Sequence, residues 1–242
     1  MIETLKQSQL EIDFSESGHT YRLKSDPGLQ FTSCTTFIGS FFEPFDEIKI
    51  ATKLVNTHPR YRDYSVESLV AQWHAKRDAG TAAHEELQEY IETRGLPALP
   101  KASQGVTWFE EYRQRLGPGW EYLSEFIVYD TDTSLAGTID LVAFNADEKK
   151  AALLDWKTNK KIDRTSYNGK CGLKPPSAQL MDCNFIHYSL QLSLYKQLFE
   201  KAFGTRVGDI LLVHLKETGC DTYSCDDLGE YIDAMIEYAP NL

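Results

Sequence analysis

The sequence predicts an α/β fold with a central mixed sheet of four or five strands, helices on both sides and a helical N-terminal portion. Three observations support this prediction. Helical periodicity dominates residues 46–116, three short β-rich runs follow within residues 126–156, and the remaining chain shows a helix, a strand and a second helix. A chain of 242 residues is long enough for one substantial core, so we expect a single domain.

The first 116 residues divide into a hairpin and a helical segment. Short extended patterns in residues 11–32, broken at Ser17-Gly18 and Pro27-Gly28, predict a small N-terminal hairpin. Apolar residues then recur at helical spacing, which predicts helices that begin near Ser65, Thr81 and Ser103, the last ending near Leu116 before Gly117-Pro118-Gly119.

The second half of the chain begins with a predicted meander of three strands. Its β-rich runs are residues 126–129, 138–144 and 151–156, with turn-type residues between them. A polar loop at 159–176 precedes a helix from Ser177 or Asn184 to Phe203, a strand at 210–215 and a closing helix at Leu228–Tyr238. Within the domain we expect an N-terminal hairpin and helical portion at 1–75, a catalytic core at 76–216 and an acidic C-terminal helix at 217–242.

The chain is acidic overall, but its charge is unevenly distributed. The formal net charge of −11 argues against a protein that coats nucleic acid nonspecifically, because such proteins concentrate Lys and Arg. Between residues 157 and 174, however, six cationic side chains accompany a single acid, Asp163. This basic stretch can face a polyanion locally, although an ordinary solvated loop would have the same composition.

Cysteine usage and hydropathy indicate an intracellular protein. The five cysteines lie far apart without a CxxC pair, which favours free thiols in a reducing compartment. Residues Met1–Lys6 lack the pattern of a secretory signal, and no run of about 18 apolar residues occurs. We therefore expect a cytoplasmic protein that does not associate with membranes, in a host cell if it is of phage or viral origin.

The candidate chemistry centres on Asp155, Trp156 and Lys157. Residues two apart on a strand share a face, so the carboxylate and the ammonium lie side by side while Trp156 points into the core. On the preceding strand, residues 138, 140 and 142 share a face, and a meander can bring Asp140 beside Asp155. Converging carboxylates among apolar strands are costly unless they are paired or bind a hard divalent cation. The alternative is a simple salt bridge.

The setting of these residues resembles the PD-(D/E)XK nuclease superfamily and, within it, the RecB-like exonuclease branch. Gly137–Val142 carries an Asp on the second core strand, and Leu153–Thr158 carries acid-x-Lys on the third. Gly80–His84 resembles the histidine motif of that branch, and Gln191–Tyr195 resembles its Gln-x-x-x-Tyr motif. The resemblance covers about residues 75–215 and implies a restriction-endonuclease-like core.

The resemblance implies roles for individual residues. The catalytic residues would be Asp140, Asp155 and Lys157. Mg²⁺, for which Mn²⁺ can substitute, would be held by His84, Asp140, Asp155 and the main-chain carbonyl of Trp156, and the shell could be completed by Glu125. DNA would be contacted by Gln191, Tyr195, Thr158, Lys160, Lys161 and Arg164. Ordinary alternatives stay open, in which His84 is a half-buried helical histidine, Glu125 a surface acid, and Gln191 and Tyr195 parts of the core.

The implied function is that of a Mg²⁺-dependent DNA exonuclease acting from single-stranded ends, in replication, recombination, repair or viral genome processing. Its partners would be DNA with a free or single-stranded end and a replication or recombination protein. Some relatives hold an iron–sulfur cluster on four cysteines, but only Cys220 and Cys225 follow Tyr195 here, so we do not expect one. Two alternatives remain: a structure-specific or restriction-like endonuclease of the same superfamily, and an inactive DNA-binding scaffold.

Overall fold

The computed structural model describes residues 2–15, 18 and 20–239. Its helices are α1 (Ile2–Glu11), α2 (Cys34–Gly39), α3 (Glu47–Thr57), α4 (Val66–Thr93), α5 (Pro100–Leu116), α6 (Asn184–Phe203) and α7 (Gly229–Tyr238). Its strands are β1 (Ile12–Ser15), β2 (Thr20–Leu23), β3 (Thr32–Ser33), β4 (Trp120–Asp130), β5 (Leu135–Asn145), β6 (Lys150–Lys157), β7 (Arg206–Leu215) and β8 (Cys220–Ser224). Within these residues, every helix is too short or too polar to cross a lipid bilayer.

Six strands form a mixed sheet at the centre of the molecule. Strand β4 pairs antiparallel with β5 along one edge, from Trp120 opposite Asn145 to Asp130 opposite Leu135. The other edge of β5 is shared, because β3 pairs with its start and β6 with its end. Strand β6 then pairs parallel with β7, and β7 antiparallel with β8. The predicted α/β fold is confirmed. The sheet has six strands where the sequence predicts four or five, because the two-residue β3 and the polar edge strand β8 show no apolar pattern from which to predict them.

Helices cover both faces of the sheet and create two main cores. On one face, α2, α6 and α7 pack over the strands through a core that includes Phe37 and Phe199. On the other face, α4 and α5 pack through a core that includes Leu87 and Phe109. Residues 151–156 of β6 are all buried between these layers. Burial on both faces explains why this strand is a continuous apolar run and not an alternating one.

The helices of the first half begin and end with identifiable signals. Helix α4 starts after Ser65, whose side chain caps the first turn as predicted. It continues through Thr81, where the sequence predicts a second start, because both halves pack against other parts of the protein. Helix α5 begins at Pro100, earlier than the predicted Ser103, since proline is well suited to a first helical turn. It ends at Leu116, as predicted, and Gly117 is its C-cap.

The N-terminal segment contains the predicted hairpin and a small additional core. Strands β1 and β2 pair antiparallel, while Ser17 of the predicted turn lies outside the described residues. Helix α3 and the first half of α4 pack around Ala51, Leu69 and Val70. The expected boundary at residue 75 lies inside α4, so this helix joins the small core to the sheet. Helices α1 and α2 and strand β8 have no counterpart among the sequence predictions.

Candidate metal and catalytic site

The site is built where β4 and β5 kink together. Glu125 in β4 has a φ of +46°, a left-handed conformation that residues other than glycine rarely adopt. The pairing of its neighbours on each side places Glu125 across from Asp140 of β5. Strained backbone of this kind is concentrated at functional sites in proteins. The two acids therefore lie opposite each other where the β4 backbone departs from the extended conformation.

The kink corrects the expectation that residues 138, 140 and 142 share a face. The Thr138 hydroxyl lies 3.0 Å from the Tyr21 hydroxyl, on the side of the N-terminal hairpin. Val142 instead packs into the core beneath α6. Thr138 and Val142 of β5 therefore point to opposite faces of the sheet. The change of face occurs at Asp140, where left-handed Glu125 of β4 interrupts the extended pairing of the two strands. Strict alternation along a strand holds only while the backbone stays extended.

Asp140 also lies where β5 and β6 separate. The backbone pairing of these strands ends at Leu141 opposite Leu154. Beyond that pair, the Asp140 carboxylate takes the place of a backbone acceptor, and its Oδ2 accepts a 2.7 Å hydrogen bond from the Trp156 amide. A buried amide must find an acceptor, so this contact fixes the Asp140 side chain at the fork between the strands.

Three side chains from three elements converge on this fork. His84 of α4, Glu125 of β4 and Asp140 of β5 each place a candidate ligand atom within 4.8 Å of the other two. His84 Nδ1 lies 3.5 Å from Asp140 Oδ2, and the His84 ring hydrogen-bonds with the Trp156 main chain. An imidazole nitrogen and carboxylate oxygens are ligands that proteins use for divalent metal ions. This metal-ligand group could hold a metal ion.

Asp155 and Lys157 lie beside the metal-ligand group and make contacts of their own. Lys157 Nζ lies 2.5 Å from Asp155 Oδ2. Asp155 Oδ1 accepts a 3.2 Å hydrogen bond from Gln191 Nε2, which also donates to the Tyr195 hydroxyl at 3.0 Å. The spacing of i and i+4 places both α6 residues on the face that covers Asp155. Asp155 is thus held by Lys157 and Gln191 and is not one of the three converging side chains.

Burial and neighbouring charges shift the pKa values of this region. Burial raises the pKa of Asp155, although Lys157 opposes the shift. Burial lowers the pKa of Lys157, but Asp155 and Asp140 together outweigh it and the net shift is upward. Burial lowers the pKa of His84, against the opposing effect of Asp140. His84 is therefore neutral near pH 7, which is the form of histidine that binds metal ions.

Two glycines allow the elements of the site to approach closely. A Cβ atom at Gly80 of α4 would lie 2.5 Å from Thr158 Oγ1, at the end of β6. A Cβ atom at Gly137 of β5 would lie 2.3 Å from the Tyr195 ring. Gly80 therefore brings the helix that carries His84 against the strand that carries Lys157. Gly137 leaves the space in which Tyr195 is buried.

A cleft of about 370 Å³ opens over the metal-ligand group. Beyond those three side chains, its lining includes Lys157, Arg77 and Tyr188. Asp155 lies below the cleft surface, with 2% of its side chain exposed. The cleft therefore lies next to the three converging side chains and the Lys157 ammonium.

The basic loop residues do not all face the cleft. Thr158 lines it, and Lys160 lines an adjoining groove. Lys161 instead pairs with Asp163 at 2.7 Å. The Arg164 guanidinium lies 4.3 Å from the centroid of the Phe185 ring in α6. The loop thus divides into a part directed at the cleft and the groove and an exposed part whose cations contact Asp163 and Phe185.

Comparison with known proteins gives a distant structural similarity. No family model and no curated protein matches the chain. A solved structure named SSO0001 has a TM-score of 0.37 and 10% identity, covering 99% of this chain and 84% of its own. A provisionally assigned exonuclease from Eubacterium rectale has a TM-score of 0.37 and 11% identity, covering 87% of this chain and 77% of its own. Similarities this low do not establish a shared family or function.

Sequence patterns missed several residues around Lys157. Its ammonium lies 4.5 Å from the centroid of the Tyr188 ring, and Asn159 Nδ2 donates a 3.2 Å hydrogen bond to the Tyr188 hydroxyl. His214 Nε2 lies 2.6 Å from the Asn159 main-chain oxygen. Tyr188 precedes Gln191 by one helical turn, so helical spacing could have identified it. His214 reaches this region only through the parallel pairing of β6 with β7, which leaves no local signal.

Proposed function

We propose that this chain is a Mg²⁺-dependent deoxyribonuclease that removes nucleotides from single-stranded DNA ends. The observation that carries the proposal is the convergence of His84, Glu125 and Asp140, with candidate ligand atoms within 4.8 Å of one another. Lys157 lines the same cleft. Phosphodiester hydrolysis requires an activated water and positive charge against the phosphoryl oxygens, and this combination of side chains can provide both.

The proposed cation is Mg²⁺, with Mn²⁺ as a substitute, and its ligands are His84, Glu125 and Asp140. Further oxygen ligands are proposed from Asp155 and from the main-chain carbonyl of Trp156. Trp156 borders the cleft, and Asp155 lies close enough to Asp140 for the charge of Asp140 to raise the pKa of Asp155. A cation bound here would lower the pKa of the attacking water and offset charge on the phosphate.

The other side chains position the reactants. In the proposed reaction, a water oxygen bonds to phosphorus, the bond from phosphorus to the departing oxygen breaks, and that oxygen leaves as a hydroxyl carrying one proton of the water. Lys157, held by Asp155 and covered by Tyr188, would place its ammonium against the phosphoryl oxygens as their charge increases.

Gln191 and Tyr195 are proposed to position Asp155 and not to contact DNA. The Gln191 amide donates to Asp155, and Tyr195, which is 3% exposed, contacts Gln191 from the buried side. Among the loop residues, Thr158 and Lys160 are favoured as DNA contacts because they line the cleft and the adjoining groove. Lys161 and Arg164 have protein partners that DNA would have to displace.

The decisive test uses purified protein and end-labelled single-stranded DNA with Mg²⁺, Mn²⁺ or EDTA. We expect degradation with either cation and none with EDTA. Asp140→Asn and Lys157→Gln should each slow degradation on the order of 100-fold or more, since the first weakens binding of the proposed cation and the second removes the ammonium that faces the phosphoryl oxygens. The controls Asp147→Asn and Lys149→Gln change the same charges in the exposed turn between β5 and β6, and should leave the rate unchanged. Undiminished degradation by both site variants would exclude the mechanism.

Two further measurements separate the related activities. An exonuclease leaves covalently closed single-stranded circles intact, so cutting of circles would show an endonuclease. Calorimetric titration with Mn²⁺ reports on the metal-ligand group directly, with Glu125→Gln as the weakened comparison. Absence of Mn²⁺ binding in the wild type, with DNA binding retained, would show an inactive DNA-binding protein.

A further inference from the structure

A second groove, of about 740 Å³, adjoins the catalytic cleft. It lies between α4, the start of α5 and the carboxyl ends of β6 and β7. Four residues line both the groove and the cleft, namely Arg77, Gly80, Thr158 and Asn159. The two volumes are therefore neighbours that meet where Gly80 packs against Thr158, and a chain molecule bound in the cleft can extend past the exposed Arg77 into the groove.

The groove has the opposite charge to the rest of the protein. Whereas the whole chain has 25 cationic and 36 acidic residues, a single acid, Glu217, lines the groove. Five cationic residues line it, namely Lys76, Arg77, Lys101, Lys160 and Lys216. A concentration of positive charge on an acidic protein attracts an anionic partner locally. A polymer with one phosphate per unit matches a row of cations better than a single small anion does.

Three of these cations are available for a ligand. The other two have protein partners: Lys101 Nζ donates to the Thr158 main-chain oxygen at 2.6 Å, and Lys216 pairs with Asp221 at 2.7 Å. Lys76, Arg77 and Lys160 are exposed and make no ion pair with any residue in 2–15, 18 or 20–239. They lie on both sides of the groove, two on α4 and one after β6. Phosphates in the groove would therefore meet cations that have no competing partner.

The lining between the cations is apolar and favours a single strand. It includes Trp73, Leu99, Pro100 and Leu215. The Trp73 ring lies 5.8 Å from that of Phe45, which is 69% exposed, so aromatic surface continues beyond the groove. In a duplex the base faces are already stacked, whereas unpaired bases gain by lying on aromatic and apolar surface. A groove lined by both cations and apolar side chains is thus suited to single-stranded nucleic acid.

We propose that this groove binds the single-stranded segment adjoining the phosphate in the catalytic cleft. The role of that segment in hydrolysis rests on the proposed nuclease function, but its binding does not require catalysis. The groove adds Lys76 and Arg77 to the nucleic-acid contacts that the basic loop after β6 suggests. The bound strand would run along α4, past Arg77, from the side of His84 towards that of Trp73.

The test measures binding of fluorescent oligo(dT) by anisotropy in EDTA, where hydrolysis is suppressed. The groove variant is Lys76→Gln with Lys160→Gln, and the matched control is Lys149→Gln with Arg206→Gln. All four residues are exposed, and the control pair lies at the opposite end of β6 and β7. We expect the groove variant to bind on the order of tenfold more weakly at 0.1 M salt, with its log–log salt slope reduced by about 1.4, because each lost phosphate contact contributes roughly 0.7. The control should bind like the wild type.

Each remaining outcome decides the matter. Equal weakening in both variants would show an effect of net charge alone and would overturn the proposal, as would unchanged binding in the groove variant. Tighter binding of blunt duplex than of oligo(dT) would overturn the single-strand assignment. Loss of binding confined to the groove variant, with no Mn²⁺ binding by the wild type, would reject the nuclease function and still support the groove.

Discussion

Substitution of Glu125 separates backbone strain from metal binding. A non-glycine residue in the left-handed region costs about 1–2 kcal/mol. Glycine avoids that cost but loses about 0.5–1 kcal/mol through its greater freedom in the unfolded chain. At the φ of +46° observed here, Glu125→Gly should therefore be about 0.5–1 kcal/mol more stable than Glu125→Gln. Both variants remove the same charge, so charge does not contribute to their difference.

Urea denaturation measures these free energies, first in EDTA and then with Mn²⁺. A ligand that binds only the folded protein stabilises it by about 2.7 kcal/mol at 100 times its Kd. The wild type should gain this stability, whereas both Glu125 variants should need much more Mn²⁺ for the same gain. Lys149→Gly is the control, because Lys149 has a φ of +51° in an exposed turn. Lys149→Gly should relieve backbone strain to a similar extent, and Mn²⁺ should raise its free energy of unfolding as much as it does that of the wild type.

Two results would refute this reasoning. If Glu125→Gly were less stable than Glu125→Gln in EDTA, the left-handed conformation would not be a source of strain. If Glu125→Gln responded to Mn²⁺ like the wild type, Glu125 would not be a metal ligand, whatever its distance from His84 and Asp140.

Two further predictions concern stability away from the metal-ligand group. Gly137→Ala should lower the free energy of unfolding by about 1–3 kcal/mol, because the added Cβ would overlap the Tyr195 ring, whereas Gly39→Ala, with no atom within 4 Å of its Cβ, should not. Thermal unfolding that affects both equally would contradict this. His187 has a pKa below its ordinary 6.5 because burial outweighs the effect of Asp182. The unfolded chain then binds this proton more readily, so the stability that neutral His187 contributes is complete above pH 6.5 and declines below it. Urea denaturation at pH 7.5 and pH 5 should show wild type losing stability relative to His187→Gln, and a relative gain at pH 5 would show that the Asp182 ion pair dominates.

Local sequence patterns were sufficient for most of the core. The sequence predicts helices α4, α5 and α6 and strands β4 to β7. Each of these elements has a buried face or is wholly buried, so its apolar residues recur in the sequence at helix or strand spacing. Strand spacing also offered Asp140, Asp155 and Lys157 as candidate site residues, because it limits which side chains can project together. The family resemblance added His84, Glu125 and Gln191 to these candidates.

Elements without such a repeat were missed or misplaced. Strand β3 has two residues, and β8 is a polar edge strand, so neither has an apolar face to detect. The face change at Asp140 was mispredicted because Glu125 lies on a different strand, and nothing in the sequence near residue 140 indicates its left-handed conformation. The basic groove draws on α4, α5, β6 and β7, and no single segment contains its charge pattern.

The sequence by itself determined the types of chemical group available and the order in which the chain presents them. The tertiary structure decided which groups meet: Glu125 with His84 and Asp140, and Asp155 with Lys157 and Gln191. It also decided that Lys160 lines the groove while Lys161 pairs with Asp163. The physical reason is that secondary structure depends on periodic local burial, whereas the site depends on a strand kink and on packing between elements far apart in the chain.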